Sequence, residues 1–159
     1  MLRKQYGEFA EFATGDRKFY IIENDVMRLK FTNLGGRLAS VELKEYETFD
    51  SLPIVLFDGD STIFNISFFA QNRRIETSKL FFKPSQNIET PNVSTDSLVV
   101  SFDLNLTDDR SLQFIYTIYP DRYAIGFNVK MHNLSNLIPV KSNNYLTLNW
   151  ESYAKRLEK

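Results

Sequence analysis

Hydrophobic and polar positions alternate most cleanly between Phe19 and Tyr46, in FYIIENDVMRLKFTNLGGRLASVELKEY. Phe19 to Ile22 is a β-branched and aromatic run, and Glu23-Asn24-Asp25 supplies turn residues. From Val26 to Thr32, Met27, Leu29 and Phe31 fall on one face and Arg28, Lys30 and Thr32 on the other. This predicts one antiparallel hairpin. Asn33-Leu34-Gly35-Gly36 then places two glycines where the chain must reverse, because glycine adopts positive φ without steric cost. Arg37 to Tyr46 resumes with Ala39, Val41 and Leu43 against Ser40, Glu42 and Lys44, a period-two pattern that fixes the register.

The same alternation recurs along the chain. Ile54 to Phe57 is a short apolar run closed by Asp58-Gly59-Asp60, and Ile63 to Ala70 sets Phe64, Ile66 and Phe68 against Asn65 and Ser67. Lys79 to Lys83 reads as a short strand stopped by Pro84, and the polar, Pro-broken stretch Ser85 to Thr95 as a surface loop. Ser97 to Leu106, Leu112 to Ile118 and Tyr123 to Met131 read as a three-stranded meander turned at Thr107-Asp108-Asp109-Arg110 and Tyr119-Pro120-Asp121. A last strand spans Asn144 to Trp150 with Leu146, Leu148 and Trp150 inward, and Tyr6 to Phe12 is left as either a helical turn or an aromatic strap. Regular strands with almost no helical periodicity predict an all-β antiparallel sandwich of two sheets packed face to face. The expected organisation is a single domain over 1–159, with an N-terminal extension over 1–17 and a helical or frayed tail over 152–159.

Composition narrows the function more than the fold. The chain has 159 residues, enough for one domain with a substantial core, and 19 basic residues against 20 acidic ones. That balance gives no general electrostatic reason to bind nucleic acid or an anionic membrane, so recognition must be local. The absence of cysteine removes disulfides and thiolate chemistry together. No apolar run approaches the roughly 20 residues that cross a bilayer, and Met1-Leu2-Arg3-Lys4 is not followed by a signal-peptide core, so the sequence reads as a soluble piece.

The ordered series of segments carries a family resemblance. ENDVMRLKFTNLGGRLASVELKEYETFD, then LPIVLFD, FFAQNRR, SLQFIYTIYPDRYAIGFNVKMHNLSN and LTLNWE resemble the start of the large periplasmic domain of the YidC family of bacterial membrane protein insertases. The resemblance is nearest the form found in Bacteroidetes and reaches upstream to QYGEFAEFATG. It implies a β-supersandwich similar to galactose mutarotase, placed on the periplasmic side of the bacterial inner membrane. It implies further strands after LNWE, so that the chain corresponds to the N-terminal part of the domain. It also implies partners: the transmembrane insertase core of the same polypeptide, Sec translocon components and nascent inner-membrane proteins. In the family, the hydrophilic groove and arginine that receive substrate lie in the transmembrane core, so no substrate residue carries over to this chain.

The candidate chemistry is sparse. His132 is the only histidine and follows a clean strand; a mutarotase-type reaction needs an acid and base pair, which one histidine does not supply. Asp108-Asp109 and Asp58-Gly59-Asp60 are turn pairs without the ligand count calcium demands. Gly35-Gly36 joins strand to strand rather than strand to helix, so it is a turn and not a phosphate cradle. No catalytic residue, metal or cofactor is expected. The residues that break the alternation are Phe69 and Phe81, with Arg73 and Arg74 in the connection between their strands. If Ile63 to Ala70 and Lys79 to Lys83 pair as a hairpin, these four form a partner-binding surface of aromatic centre and cationic rim. The competing reading is that further strands of the domain cover the two phenylalanines. Edges left without neighbours predict self-association. The functional expectation is a non-catalytic periplasmic domain of an insertase, with a carbohydrate-binding or sugar-epimerising module on a mutarotase-like fold as the alternative.

Overall fold

A computed structural model describes residues 1–139 and 145–153. Twelve strands form three sheets in that range. The first sheet has the order β4-β3-β2-β1-β8, from β1 (Phe19–Asn24), β2 (Met27–Thr32), β3 (Arg37–Glu47), β4 (Pro53–Asp58) and β8 (Asn92–Val93). The second has the order β11-β10-β9-β7, from β7 (Lys83–Pro84), β9 (Leu98–Thr107), β10 (Arg110–Ile118) and β11 (Ile125–His132). The third has the order β12-β5-β6, from β5 (Thr62–Ala70), β6 (Arg73–Glu76) and β12 (Thr147–Ser152). All pairings are antiparallel except the two-residue contact of β1 with β8. The class is the all-β sandwich that alternation implies, with three sheets in place of two.

The main core lies between the first two sheets. Met27, Leu29 and Phe31 of β2 are buried, and so are Phe102 and Leu104 of β9 and Phe114 and Tyr116 of β10. Phe31 stacks on Phe102 at 5.7 Å between centroids and meets Tyr116 edge-on at 5.0 Å, while Phe82 stacks on Phe114 at 4.7 Å. Each fully buried side chain of this kind contributes roughly 1.5–3 kcal/mol. The N-terminal segment closes one end: α1 (Leu2–Tyr6) and the 3-10 turns of Gly7–Phe12 bury Tyr6, Phe9 and Phe12, with Phe9 edge-on to Phe68 at 5.6 Å. The two readings left open for Tyr6 to Phe12 thus coincide, since the helical turns present the aromatic strap. An ion pair of Glu8 with Arg110 at 2.9 Å fastens it to β10.

Turn chemistry sets the register. The Asn24 amide oxygen accepts the backbone N–H groups of Val26 (3.0 Å) and Met27 (2.6 Å), and its Nδ2 donates to the carbonyls of Tyr119 (2.8 Å) and Arg122 (2.9 Å). One buried side chain therefore shapes the β1–β2 turn and ties it to the β10–β11 turn. Gly35 and Gly36 both adopt positive φ, at 82° and 56°, as a tight reversal between strands requires.

Two expectations change. The strand expected over Lys79 to Lys83 begins only at Lys83, as the two-residue β7: Thr77–Lys79 is a 3-10 turn, and the extended connector after it bonds to loops, with Phe81 N–H donating to Phe12 O at 2.7 Å and Phe82 N–H to Asn33 O at 2.8 Å. Leu80 and Phe82 are buried because the connector crosses the core, which reproduces strand-like alternation although its one β-bridge is that of Phe81 to Leu34. Leu146, Leu148 and Trp150 are exposed at 48%, 52% and 63% rather than inward, because nothing among the described residues covers that face of β12. Asn144 and 154–159 lie outside the described residues, and so does most of the expected tail; Ser152 itself ends β12.

Candidate functional site: a cationic patch and an open apolar groove

The four residues singled out from the sequence do not share one surface built on a hairpin. The structure pairs β5 with β6, so Phe69 faces Arg74 across the ladder and Ala70 faces Arg73. The turn between them is Gln71-Asn72, both at positive φ (48° and 62°), the geometry of a tight two-residue hairpin. Phe69 is 54% exposed and Arg74 is exposed beside it. The Arg73 guanidinium donates from Nε to the Lys4 carbonyl at 2.9 Å and from Nη1 to the Gln71 carbonyl at 3.1 Å, locking α1 to the hairpin turn. Phe81 is placed differently: it bridges to Leu34, is half-buried, and packs so closely on Gly15 that a Cβ there would lie 2.9 Å from the Phe81 ring. The structure therefore brings together Phe69, Arg73 and Arg74, and seats Phe81 against the N-terminal segment.

His132 ends β11 at the surface with its Nε2 3.3 Å from the Asn133 amide nitrogen, which itself donates to the Asp109 carbonyl at 3.0 Å. Among the described residues, no group of three or more histidine and acidic side chains is placed to hold a metal. Glu23 sits between Lys44 (2.8 Å) and Arg28 (3.3 Å), and the hydrogen bond from Lys44 holds its carboxyl below the usual carboxylate range. Asn65 is buried, with its side-chain oxygen accepting the Ser78 N–H at 3.1 Å.

Sequence reasoning missed one apolar feature of the surface. A groove of about 490 Å³ opens between the three sheets, walled by Leu56 and Phe57 of β4, Ile125 and Phe127 of β11, and Leu148 and Trp150 of β12. Phe64 of β5 stands in it, edge-on to Phe127 at 5.4 Å and to Trp150 at 6.3 Å. A second concavity of about 390 Å³ lies at the other end of β11, lined by Met131, Phe68, Leu134 and Leu146. Tyr123, at the mouth of the groove, bonds its hydroxyl to Glu45 at 3.1 Å, and the surroundings push its phenol up to about 12, desolvation first and Glu45 second. The signal for the groove was present as alternation in Tyr123 to Met131 and Leu146 to Trp150, which reads as core.

Fold and surface together define a β-sandwich domain whose described residues present an apolar groove and an aromatic-cationic patch. The chain belongs to the YidC periplasmic domain family, whose model matches residues 20–159. It is 33% identical to the membrane protein insertase YidC of Parabacteroides distasonis over 99% of this chain and 24% of that protein. It is 32% identical to the YidC of Azobacteroides pseudotrichonymphae over 97% of this chain and 24% of that protein, and 33% to that of Phocaeicola vulgatus over 91% and 22%. The chain thus spans about a quarter of the length of these relatives. No solved structure matches it. The family places the domain in the periplasm, and no helix among the described residues is long and apolar enough to cross a membrane.

Proposed function

We propose that this chain is a non-catalytic part of a YidC-type insertase that assists the insertion and folding of inner-membrane proteins from the periplasmic side. Its partners are the transmembrane insertase core of the same polypeptide, Sec translocon components and nascent inner-membrane proteins. The match to the periplasmic-domain family over 20–159 carries this reading. Phe69 and Arg74 form the contact centre, with Arg73 fixing the hairpin that presents them. An exposed aromatic beside a cation is the composition enriched where interface energy concentrates, and truncating such an anchor costs about 2 kcal/mol or more of binding.

The test is site-specific crosslinking in cells expressing the full-length protein. A photoreactive residue at Arg74 is expected to capture a Sec component or the insertase core, and Phe69→Ser is expected to abolish that capture at unchanged protein level. Capture that persists in Phe69→Ser removes the patch from the reading. A purified domain that interconverts sugar anomers above the buffer rate, with loss of that rate in His132→Ala, replaces it by the sugar-module alternative.

A further inference from the structure

Charge is spread unevenly over the surface. α1 (LRKQY) and β6 (RRIE) together carry four cations, Arg3, Lys4, Arg73 and Arg74, against one carboxylate, in a chain whose basic and acidic residues almost cancel. That carboxylate, Glu76, is already paired with Lys79, and Glu8 just after α1 is paired with Arg110 at 2.9 Å. Among the described residues none of the four cations makes a direct ion pair. The two elements form one surface. The bond from Arg73 Nε to the Lys4 carbonyl holds α1 against the hairpin, and a Cβ at Gly7 would lie 3.5 Å from the Arg73 side chain. Leu2, Arg3 and Lys4 are exposed, Leu2 at 40%.

Like charges gathered in this way repel one another, and an anionic surface laid against them turns that repulsion into attraction. The chemistry of α1 favours a bilayer over an acidic protein as that surface. Leu2, Arg3 and Lys4 line none of the concavities described among these residues, so no slot selects a single carboxylate. Long flexible cations meet a plane of phosphate headgroups in many rotamers. Leu2 adds an apolar side chain of the kind that enters the boundary between headgroups and acyl chains. The family places the chain on the periplasmic side of a membrane protein, so such a plane is within reach.

We propose that α1 rests on the anionic phospholipid surface of the inner membrane through Arg3 and Lys4, with Leu2 in the headgroup boundary and Arg73 holding α1 beside the Phe69 hairpin. This rests on the contact role proposed for Phe69 and Arg74, whose partners are membrane-embedded, so that headgroups beside those partners lie in the same plane. The bilayer contact orients the hairpin, and the protein contact stays with Phe69 and Arg74. Attraction between exposed charges of this kind is screened by salt.

The first measurement is co-sedimentation of the chain with lipid vesicles. Binding is expected to vesicles containing phosphatidylglycerol and not to vesicles of phosphatidylcholine alone, and it is expected to fall as salt rises. Arg3→Gln with Lys4→Gln is expected to weaken it by about five-fold per cation removed, the factor that corresponds to ~1 kcal/mol for each basic residue at an anionic surface. The same loss of charge elsewhere on the surface, in Arg122→Gln with Lys130→Gln, is expected to leave binding unchanged. The second measurement uses full-length protein in membranes with a photoreactive lysine analogue at Lys4, and the expected adduct is phospholipid. Equal binding to the two kinds of vesicle, or binding unchanged in Arg3→Gln with Lys4→Gln, overturns the proposal. So does a protein adduct at Lys4, which would make an acidic protein the partner. Absence of protein capture at Arg74 with the lipid adduct at Lys4 intact removes instead the contact role of Phe69 and Arg74 and leaves the bilayer contact standing.

Discussion

The Tyr116 hydroxyl donates a hydrogen bond of 2.7 Å to the Gly36 carbonyl, joining β10 to the β2–β3 turn across 80 residues of sequence. Burial pushes the Tyr116 phenol far above its ordinary value, with the Arg37 charge opposing only in part. Tyr116→Phe is expected to cost about 1–2 kcal/mol, since it leaves a buried carbonyl without this donor. For a domain of this size that lowers Tm by about 2–4 °C per kcal/mol in calorimetry. The pH dependence follows the sign of the shift. The native phenol stays protonated where the unfolded one, near 10, has ionised, so its stabilisation is complete below about pH 10 and is lost as pH rises further. Tyr116→Phe is expected to flatten the alkaline limb of the stability curve; an unchanged limb would show that the hydroxyl is solvated.

Asn24→Ala is expected to be the more damaging change. It removes four hydrogen bonds at once and leaves two backbone N–H groups and two carbonyls in a buried turn. A loss of about 2–4 kcal/mol is expected in urea unfolding. Asn24→Asp keeps the acceptor but turns a negative charge on the Tyr119 and Arg122 carbonyls, and is expected to rescue only part of the loss.

Gly36 adopts φ 56°, and a Cβ there would lie 2.9 Å from the Phe82 ring and 3.2 Å from the Phe102 Cβ. Gly36→Ala therefore combines backbone strain with overpacking of the central aromatic cluster. A cost above about 1 kcal/mol is expected. Gly59 has φ 57° but open space at its Cβ, so Gly59→Ala isolates the strain alone and is expected to cost less. Equal Tm losses in the two variants would remove the packing argument.

Phe69 and Phe81 are expected to separate by phenotype. Phe69→Ser leaves folding stability within about 0.5 kcal/mol of the parent, as at an exposed site. Phe81→Ser removes the ring against Gly15 and is expected to release the N-terminal segment, read as faster proteolysis near Gly15. Equal protease sensitivity in the two variants would contradict the placement of Phe81.

Alternation is sufficient for β2, β3, β9 and β10 because each buries one face on a core that the chain itself supplies. It misleads at Lys79 to Lys83, where a connector threading the core alternates for burial and makes only an isolated bridge at Phe81 before β7 starts at Lys83. It is silent at β6, where Ile75 is the one apolar residue of four, so Arg73 and Arg74 read as a loop although they are the strand that faces Phe69. On β5, the expected solvent face at Asn65 and Ser67 is buried because Thr77–Lys79 folds over it: Ile66 N–H donates to the Thr77 hydroxyl at 3.0 Å. No local pattern announces such a cover. The aromatic-cationic patch was visible as composition, but its membership depended on strand pairing, and the groove was invisible because its lining reads as core.

Each sheet has one long edge strand, β4, β11 or β12, and one short edge, β8, β7 or β6, and this inequality decides how the chain associates when it is by itself. Growth by strand addition into filaments needs an open strand edge at each end of every unit, whereas among the described residues β7 and β8 are two residues long and β6 carries Arg73 and Arg74. Two copies meeting open edge to open edge consume the joining face of both, and nothing remains for a third. The isolated chain is therefore expected to reach a two-fold closed dimer in light scattering as concentration rises and to stop there, without the fibrils that a sandwich open on both sides would form.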